Sequence, residues 1–251
     1  MKSSWLILSL LALVSSASTI SVEEVYGALR VDSTAAETIV AVPWLGDSGD
    51  VAVSNIVKTA NLNQGDLLLA YLNGGYSAWV VVSNETTAVK TWTPAVNVTE
   101  GKVQYSSGAD GTTLARGNAI ILRRTPPIAS CFYLNGRVAT NAPAAFTISS
   151  GGTTAKPIYT LIAPPCVEDV DVNSAITWSG TINKNDRIVL SDNRQLQWNS
   201  TQSKWVYKQR SSDGSVKTVT ENLKITAGTG AWYISKGGSP TLTWTNYPVA
   251  K

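Results

Sequence analysis

The sequence contains no histidine, and this absence removes several classes of enzyme. Hydrolases of the Ser-His-Asp and Cys-His types need a histidine base, and many zinc sites need histidine ligands. No phosphate-binding loop or dinucleotide-binding fingerprint stands between a strand and a helix, so we expect no cofactor. We therefore expect a protein that is not an enzyme. Carboxylate chemistry stays open, and a glycosidase that uses two acidic side chains is the remote alternative.

Charged residues are also scarce, at 15% of the chain, and the formal net charge is only +3. Lysine and arginine are scattered except for Arg123-Arg124 and the pair Lys208 and Arg210. A nucleic-acid-binding surface needs a concentrated basic patch, so we expect no nucleic-acid partner. Threonine, serine, asparagine and glycine are plentiful, which is typical of a strand-rich exported protein.

Long apolar runs are absent after the amino terminus. Lys2 precedes the apolar segment Trp5–Val14, and small residues follow at 15–17, which is the pattern of a signal peptide over residues 1–17. The segment is too short to span a bilayer, which needs about 20 apolar residues. We expect a secreted, periplasmic or cell-surface protein with no transmembrane segment in the mature chain. Glycan acceptor patterns, which matter only in a eukaryotic secretory pathway, begin at Asn84, Asn97 and Asn199.

Cysteine occurs only twice, at Cys131 and Cys166. An even number of cysteines in an exported protein favours a disulfide. This bridge would close a loop of roughly 35 residues and stabilise the fold by about 3 to 4 kcal/mol. Two unpaired buried thiols are the alternative.

What the chain does contain is an internal repeat. Residues Asn63–Leu69 resemble Asn183–Val189 at a spacing of 120, and the match extends without a gap back to Ser54 and Ser174. Two more pairs of segments recur in the same order: 38–43 with 159–164, and 114–117 with 225–228. Because repeat arrays have periods of about 20 to 50 residues, a period this long indicates two copies of a whole domain.

The strand pattern agrees with this division. Short apolar runs rich in β-branched and aromatic residues alternate with glycine- and asparagine-rich turns, and no capped helical stripe is present. We predict an all-β protein with two tandem homologous β-sandwich or small β-barrel domains, 18–125 and 128–251, after the signal peptide. Pro126 and Pro127 restrict the chain between them and indicate a stiff linker.

One repeated segment carries a resemblance. Leu114–Ile121 and Ile225–Ile234 share the order apolar residue, two residues, glycine, one residue, small residue, apolar or aromatic run. This order resembles an element of β-rich modules in exported bacterial proteins, including uncharacterised secreted families of Verrucomicrobia-type bacteria. The first copy departs from it with Ile120 where the second has Trp232. The resemblance implies a secreted or surface protein and carries over no catalytic residue.

Acidic residues occur in two patterns. The repeated Asn-x-x-Asp step ending at Asp66 and Asp186 predicts a polar turn that leads into a buried strand. Asp169, Asp171 and Asn173 place oxygen ligands two residues apart, as at the start of a calcium loop. Ser174 stands where that loop needs glycine, and the alternating valines favour a strand with its acidic face in water. We therefore expect no metal site, with weak calcium binding as the alternative.

Tryptophan is the last residue type that we consider as a candidate for ligand binding. With two phenylalanines and a single methionine in the whole chain, tryptophan and tyrosine must supply most large core side chains. Trp198, Trp205 and Tyr207 lie among polar residues, and exposed rings there would suit sugar binding. Our first hypothesis is an exported non-enzymatic surface, envelope or adhesive protein that self-associates. The alternative is a carbohydrate-binding protein whose partner is a surface polysaccharide.

Overall fold

The computed structural model describes residues 26–42, 51–52, 56–72, 75–99, 102–105, 113–114, 117–137, 145–148 and 151–245. Within these ranges the regular structure consists of 21 β-strands and the short 3₁₀ helix Thr59–Asn61. The all-β prediction is confirmed. The predicted signal peptide at 1–17 lies outside the described residues. None of the helices in the described part of the chain has the length and apolar character to cross a membrane.

A large antiparallel sheet forms in each half of the chain. The six strands of the first are β2 (Glu37–Ala41), β4 (Leu67–Leu72), β5 (Gly75–Ser83), β6 (Lys90–Thr99), β7 (Lys102–Tyr105) and β9 (Ala119–Arg123). The six strands of the second are β12 (Ile158–Ile162), β15 (Arg187–Val189), β16 (Gln195–Asn199), β17 (Lys204–Arg210), β18 (Val216–Val219) and β20 (Ala231–Ser235). Their orders in space are β2-β9-β4-β5-β6-β7 and β12-β20-β15-β16-β17-β18, so in both sheets the last strand along the chain inserts between the first two.

Smaller sheets complete each half. In the first half, β1 (Tyr26–Asp32) pairs with β10 (Cys131–Arg137), and β3 (Val51–Ala52) pairs with β8 (Thr113–Leu114). In the second half, β21 (Ser239–Trp244) lies between β11 (Ala145–Thr147) and β14 (Ile176–Thr181), and β13 (Val170–Asp171) pairs with β19 (Lys224–Ile225). One hydrophobic core per half packs side chains of the large sheet against those of the small sheets.

The first core extends past the domain boundary expected at 125–128. Strand β10 follows the prolines, yet it pairs with β1 along its whole length. Its Phe132 and Leu134 are fully buried in the first core. The reason is the apolar alternation of this strand, which completes the small sheet of the first half and covers one side of that core.

The two halves join through the backbone of β2. The Ala41 amide donates to the Gly228 carbonyl (3.0 Å), and the Gly230 amide donates to the Ile39 carbonyl (3.1 Å). Ala41, Ala119 and Ala163 form a small buried cluster beside this contact. The small side chains allow the two backbones to approach closely, so β2 is paired on both sides over this stretch.

Candidate functional site

The three aromatic residues predicted to bind a ligand differ in exposure. Trp198 in β16 and Tyr207 in β17 are half-buried and pack against the second core. Trp205, the cross-strand partner of Trp198, is 0% exposed. Trp205 therefore has no ring face open to a ligand, and of the three candidates only Trp198 and Tyr207 reach the surface. The lysines and polar residues around it in sequence lie on the solvent side, while the indole itself points into the core.

Trp205 instead supports two rings that reach the surface. The Trp178 ring, from β14, and the Trp198 ring each lie 5.4 Å from the Trp205 ring between centroids, at interplanar angles of 61° and 65°. Trp178 also stacks on Tyr233 at 6.0 Å and donates its Nε1 hydrogen to the Val172 carbonyl (3.2 Å). These contacts hold both half-buried indoles in fixed positions. Sequence reasoning missed Trp178, because nothing in its local pattern distinguishes it from a core residue.

Trp178 and Trp198 line an open cleft of about 530 Å³, which we call the aromatic cleft. Its lining residues are Asn173, Ile176, Trp178, Gly180, Thr181, Ile182, Trp198 and Ser203. All eight are described, and none carries a charge. Thr181 and Ser203 are exposed and offer hydroxyl groups beside the indoles. The cleft therefore places two indole rings beside exposed hydroxyl groups in a lining that is uncharged and mostly polar.

The residues named as a calcium alternative are bonded to the backbone. Asp171 accepts hydrogen bonds from the amides of Asn173 (2.9 Å) and Leu223 (2.8 Å), one at each carboxylate oxygen. Asp169 accepts from the Ala227 amide (2.8 Å). The Asn173 side chain accepts from the Trp205 amide (2.8 Å) and donates to the Trp205 carbonyl (2.9 Å), which fixes β17 behind the aromatic cleft. These three side chains fasten the loop around β13 to its neighbours.

The predicted disulfide is not present in the structure, and this expectation is corrected. Cys131 and Cys166 are both buried, but their sulfur atoms have other neighbours. The Asn61 side-chain amide donates to the Cys131 sulfur (3.4 Å), whereas the Cys166 thiol donates to the Glu168 carbonyl (3.6 Å). Cys131 begins a strand of the first half, and Cys166 belongs to the second core. An even cysteine count carries no information on the spatial separation that a bridge requires.

The Asn-x-x-Asp turn is built alike in both halves. Asp66 is 1% exposed and accepts hydrogen bonds from the amides of Asn63 (2.8 Å) and Thr125 (2.7 Å). Asp186 is 0% exposed and accepts from the amides of Asn183 (2.9 Å) and Lys236 (2.6 Å). Both carboxylates are thus occupied by backbone donors and are inaccessible to a substrate.

Asp186 also binds a tyrosine. The Tyr233 hydroxyl donates to Asp186 Oδ2 at 2.6 Å, and the ring is fully buried. Burial is the main cause that raises the pKa of Tyr233 far above its usual range, and the hydrogen bond to Asp186 is the second cause. The Trp178 ring stacks on Tyr233, so Tyr233 contacts both the buried turn and a wall of the aromatic cleft.

Comparisons with known proteins add no relative: no family model, no curated protein and no solved structure matches this chain.

Proposed function

We propose that the protein is an exported, non-enzymatic surface protein that binds a carbohydrate, and that the aromatic cleft is its binding site. The observation that carries this proposal is the pair of half-buried indoles, Trp178 and Trp198, held at equal distance from the buried Trp205. The C–H faces of a sugar ring are apolar and pack on the flat face of an indole. Thr181 and Ser203 line the same cleft, and their hydroxyls can exchange hydrogen bonds with those of a sugar.

The rigidity of the cleft supports binding. Association loses less free energy when the side chains are already ordered, and here packing on Trp205 and Tyr233 orders the Trp178 ring before any ligand arrives. The uncharged lining favours a neutral saccharide. The same lining contains no carboxylate, so it offers no acid or base for the glycosidase alternative.

Export is supported by the amino-terminal sequence. The charged start at Lys2, the apolar segment Trp5–Val14 and the small residues before Ser18 together predict cleavage and secretion. A polysaccharide of an envelope or matrix is the partner that such a location would provide.

A tandem duplication is supported by the equivalent contacts of the two halves. The two large sheets have the same strand order. Each buried aspartate accepts from the amide that follows its neighbouring strand, Thr125 after β9 and Lys236 after β20. Thr125 and Lys236 are 111 residues apart, the spacing that also relates Gly117 to Gly228. We therefore interpret the halves as two homologous β-sandwich domains.

Binding is tested by titrating the mature protein, residues 18–251, with neutral polysaccharides and their oligosaccharides while tryptophan fluorescence and heat are recorded. Trp178→Ala and Trp198→Ala are each expected to weaken binding at least tenfold, since each removes one stacking face. Trp232→Ala is the matched control, because Trp232 is half-buried and lies outside the aromatic cleft.

Thermal unfolding of each variant separates a lost contact from a lost fold. Equal loss of binding in Trp232→Ala and in the cleft variants would contradict the assignment of the site. No fluorescence or heat response to any neutral saccharide would contradict the proposed function.

A further inference from the structure

A second cleft lies in the first half, at the position equivalent to the aromatic cleft. One wall of each is a turn capped by asparagine. Asn84 Oδ1 accepts the amides of residues 86 and 87 (2.9 and 3.0 Å), and Asn199 Oδ1 accepts those of residues 201 and 202 (3.1 and 3.3 Å). The fifth residue of each turn, Ala88 or Ser203, has a positive φ (54° and 50°) and lines its own cleft.

The opposite wall is equivalent as well. In the ungapped repeat that relates 54–69 to 174–189, Lys58 occupies the position of Trp178, and Ala60 that of Gly180. Lys58 and Ala60 line the first-half cleft, as Trp178 and Gly180 line the aromatic cleft. The two halves therefore present a depression at the same place, with an ammonium group where the other has an indole.

The first-half cleft has a volume of about 590 Å³ and is basic. Its lining residues are Lys58, Thr59, Ala60, Ala88, Val89, Lys90, Tyr133 and Asn135. Two of these eight described residues are lysines and none is acidic, so the lining carries two uncompensated positive charges. We call it the basic cleft.

The two lysines differ in how firmly they are held. Lys90 Nζ donates to the Leu62 carbonyl at 2.5 Å, and the Lys90 carbonyl accepts from the Thr59 hydroxyl at 2.8 Å. Lys90 is thus fixed across the floor of the cleft, with two of its three ammonium hydrogens left for a ligand. The Lys58 side chain is exposed, while the Lys58 amide donates to the Tyr133 carbonyl (2.9 Å) and fixes the backbone just before the 3₁₀ helix.

Apolar surface accompanies the charge. Val89 is 55% exposed, and Tyr133 is half-buried. The cleft can therefore receive a ligand that has both an apolar face and a negative group. A sugar ring that carries a carboxylate or a sulfate has this chemistry.

We propose that the basic cleft binds an anionic saccharide, with Lys58 and Lys90 contacting its carboxylate or sulfate and with Tyr133 and Val89 beneath its ring. This inference rests on the proposed function, since the equivalent position of the aromatic cleft is what favours a sugar over another anion. The chain then has two saccharide sites of different charge preference.

The test uses the mature protein and four probes: polygalacturonate for carboxylates, heparin for sulfates, an uncharged polysaccharide, and polyglutamate as an anionic polymer without sugar. Polygalacturonate or heparin, or both, is expected to bind more tightly than polyglutamate of similar charge. The affinity should fall with added salt, because screening shortens the Debye length from about 8 Å at 0.15 M to about 3 Å at 1 M.

Lys58→Gln and Lys90→Gln are each expected to weaken anionic saccharide binding about tenfold, the loss typical of a hydrogen bond to a charged group. Lys156→Gln is the matched control, because it removes the same charge from an exposed site outside the strands of the other half. Binding as tight to polyglutamate as to both anionic polysaccharides, or equal loss in Lys156→Gln and Lys58→Gln, would overturn the inference.

The two proposals fail separately. Trp178→Ala should leave anionic saccharide binding unchanged, and Lys58→Gln should leave neutral saccharide binding unchanged. If neutral saccharides bind and anionic ones do not, the proposal for the basic cleft is overturned. If anionic saccharides bind and neutral ones do not, the proposal for the aromatic cleft is overturned.

Discussion

Tyr233 connects the buried turn of the second half to its surface. Its hydroxyl donates to Asp186, whose carboxylate also accepts the amides of Asn183 and Lys236. Its ring lies against Trp178 at 6.0 Å and against Trp205 at 6.1 Å. A single side chain thus satisfies a buried carboxylate and supports the ring that forms one wall of the aromatic cleft.

Tyr233→Phe is expected to lower the free energy of unfolding by about 1 to 3 kcal/mol at neutral pH, because Asp186 loses a buried donor. This difference should shrink at high pH. The raised pKa of Tyr233 means that the folded protein keeps the phenolic proton, whereas the unfolded chain releases it near pH 10. The tyrosine contribution is therefore complete below about pH 10 and declines as the pH rises beyond it.

Urea denaturation of both proteins at pH 9 and pH 11 measures the difference. Tyr159→Phe is the control, because Tyr159 is 57% exposed and should change stability little at either pH. A difference between wild type and Tyr233→Phe that stays constant across this range would contradict the linkage.

At the residue scale, the sequence predicted which residues form turns better than it predicted which side chains are exposed. The turn role of the Asn-x-x-Asp aspartates was predictable, since Asp66 and Asp186 accept the nearby amides of Asn63 and Asn183. Their burial and their bonds to distant partners were not predictable from the local sequence. The exposure of Trp205 depended on which face of β17 packs against the core. That strand buries two consecutive residues, Trp205 and Val206, so alternation alone could not give the answer.

At the scale of elements, the contact between the halves depends on two glycines. A Cβ atom on Gly230 would lie 2.7 Å from Ile39 Cγ2, and one on Gly228 would lie 2.5 Å from Val31 Cγ2. Gly228 also has a φ of +72°, in the region that other residues rarely adopt. Both residues belong to the segment that hydrogen-bonds β2, and a side chain at either position would collide with residues of the first half.

Gly228→Ala should therefore destabilise the protein more than its backbone conformation alone explains. Gly214→Ala is the matched control: Gly214 has a similar φ of +83°, and an added Cβ would meet no atom within 4 Å. We expect the control to cost about 1 to 2 kcal/mol from the left-handed backbone. Gly228→Ala should cost about 1 to 3 kcal/mol more from overpacking.

Calorimetry of the two variants measures the cost of the left-handed backbone in Gly214→Ala and the added cost of overpacking in Gly228→Ala. Separate unfolding transitions for the halves in Gly228→Ala would show that this contact couples them. Equal destabilisation by the two substitutions would contradict a close-packed junction.

Strands and turns were predictable because their signals are local. The apolar runs that form β4, β5, β9 and β20 are rich in leucine, β-branched and aromatic residues. The partner of β10 was not predictable in this way. Its pairing with β1 joins residues about 100 positions apart, and a linker of two prolines suggested the opposite.

At the scale of the whole molecule, the large sheets of the two halves have the same strand order, but one cleft has an uncharged lining and the other a basic lining. The segments Asn63–Leu69 and Asn183–Val189, which resemble each other in sequence, each form a turn closed by an aspartate and lead into a strand of a large sheet. The clefts were not predictable, because their walls come from segments separated in sequence. In the second half, Trp178 and Trp198 come from different strands, and each packs on the core residue Trp205. Two sites on one chain would let a single molecule hold two polysaccharide strands.

The free edge of the second large sheet bears on self-association. Among the described strands, β18 pairs with β17 alone, which leaves its outer edge open to another strand within this part of the chain. Val216 is 54% exposed, and the adjoining Lys217 is exposed as well. A short edge strand with a lysine resists pairing, because a second copy would have to bury that charge.

We therefore expect the mature protein to remain monomeric by size-exclusion chromatography with light scattering across a concentration series, with and without calcium. Lys217→Val should form oligomers that grow with concentration, since it removes the charge and leaves an apolar edge. Lys156→Val, which changes an exposed lysine outside the strands, should not.

Oligomers of the wild-type protein would instead support the self-associating surface role expected from the sequence. Growth only with calcium would contradict the backbone-bonded roles of Asp169, Asp171 and Asn173. A monomer that aggregates only when a polysaccharide is added would indicate that cross-linking depends on the two clefts and not on the strand edge.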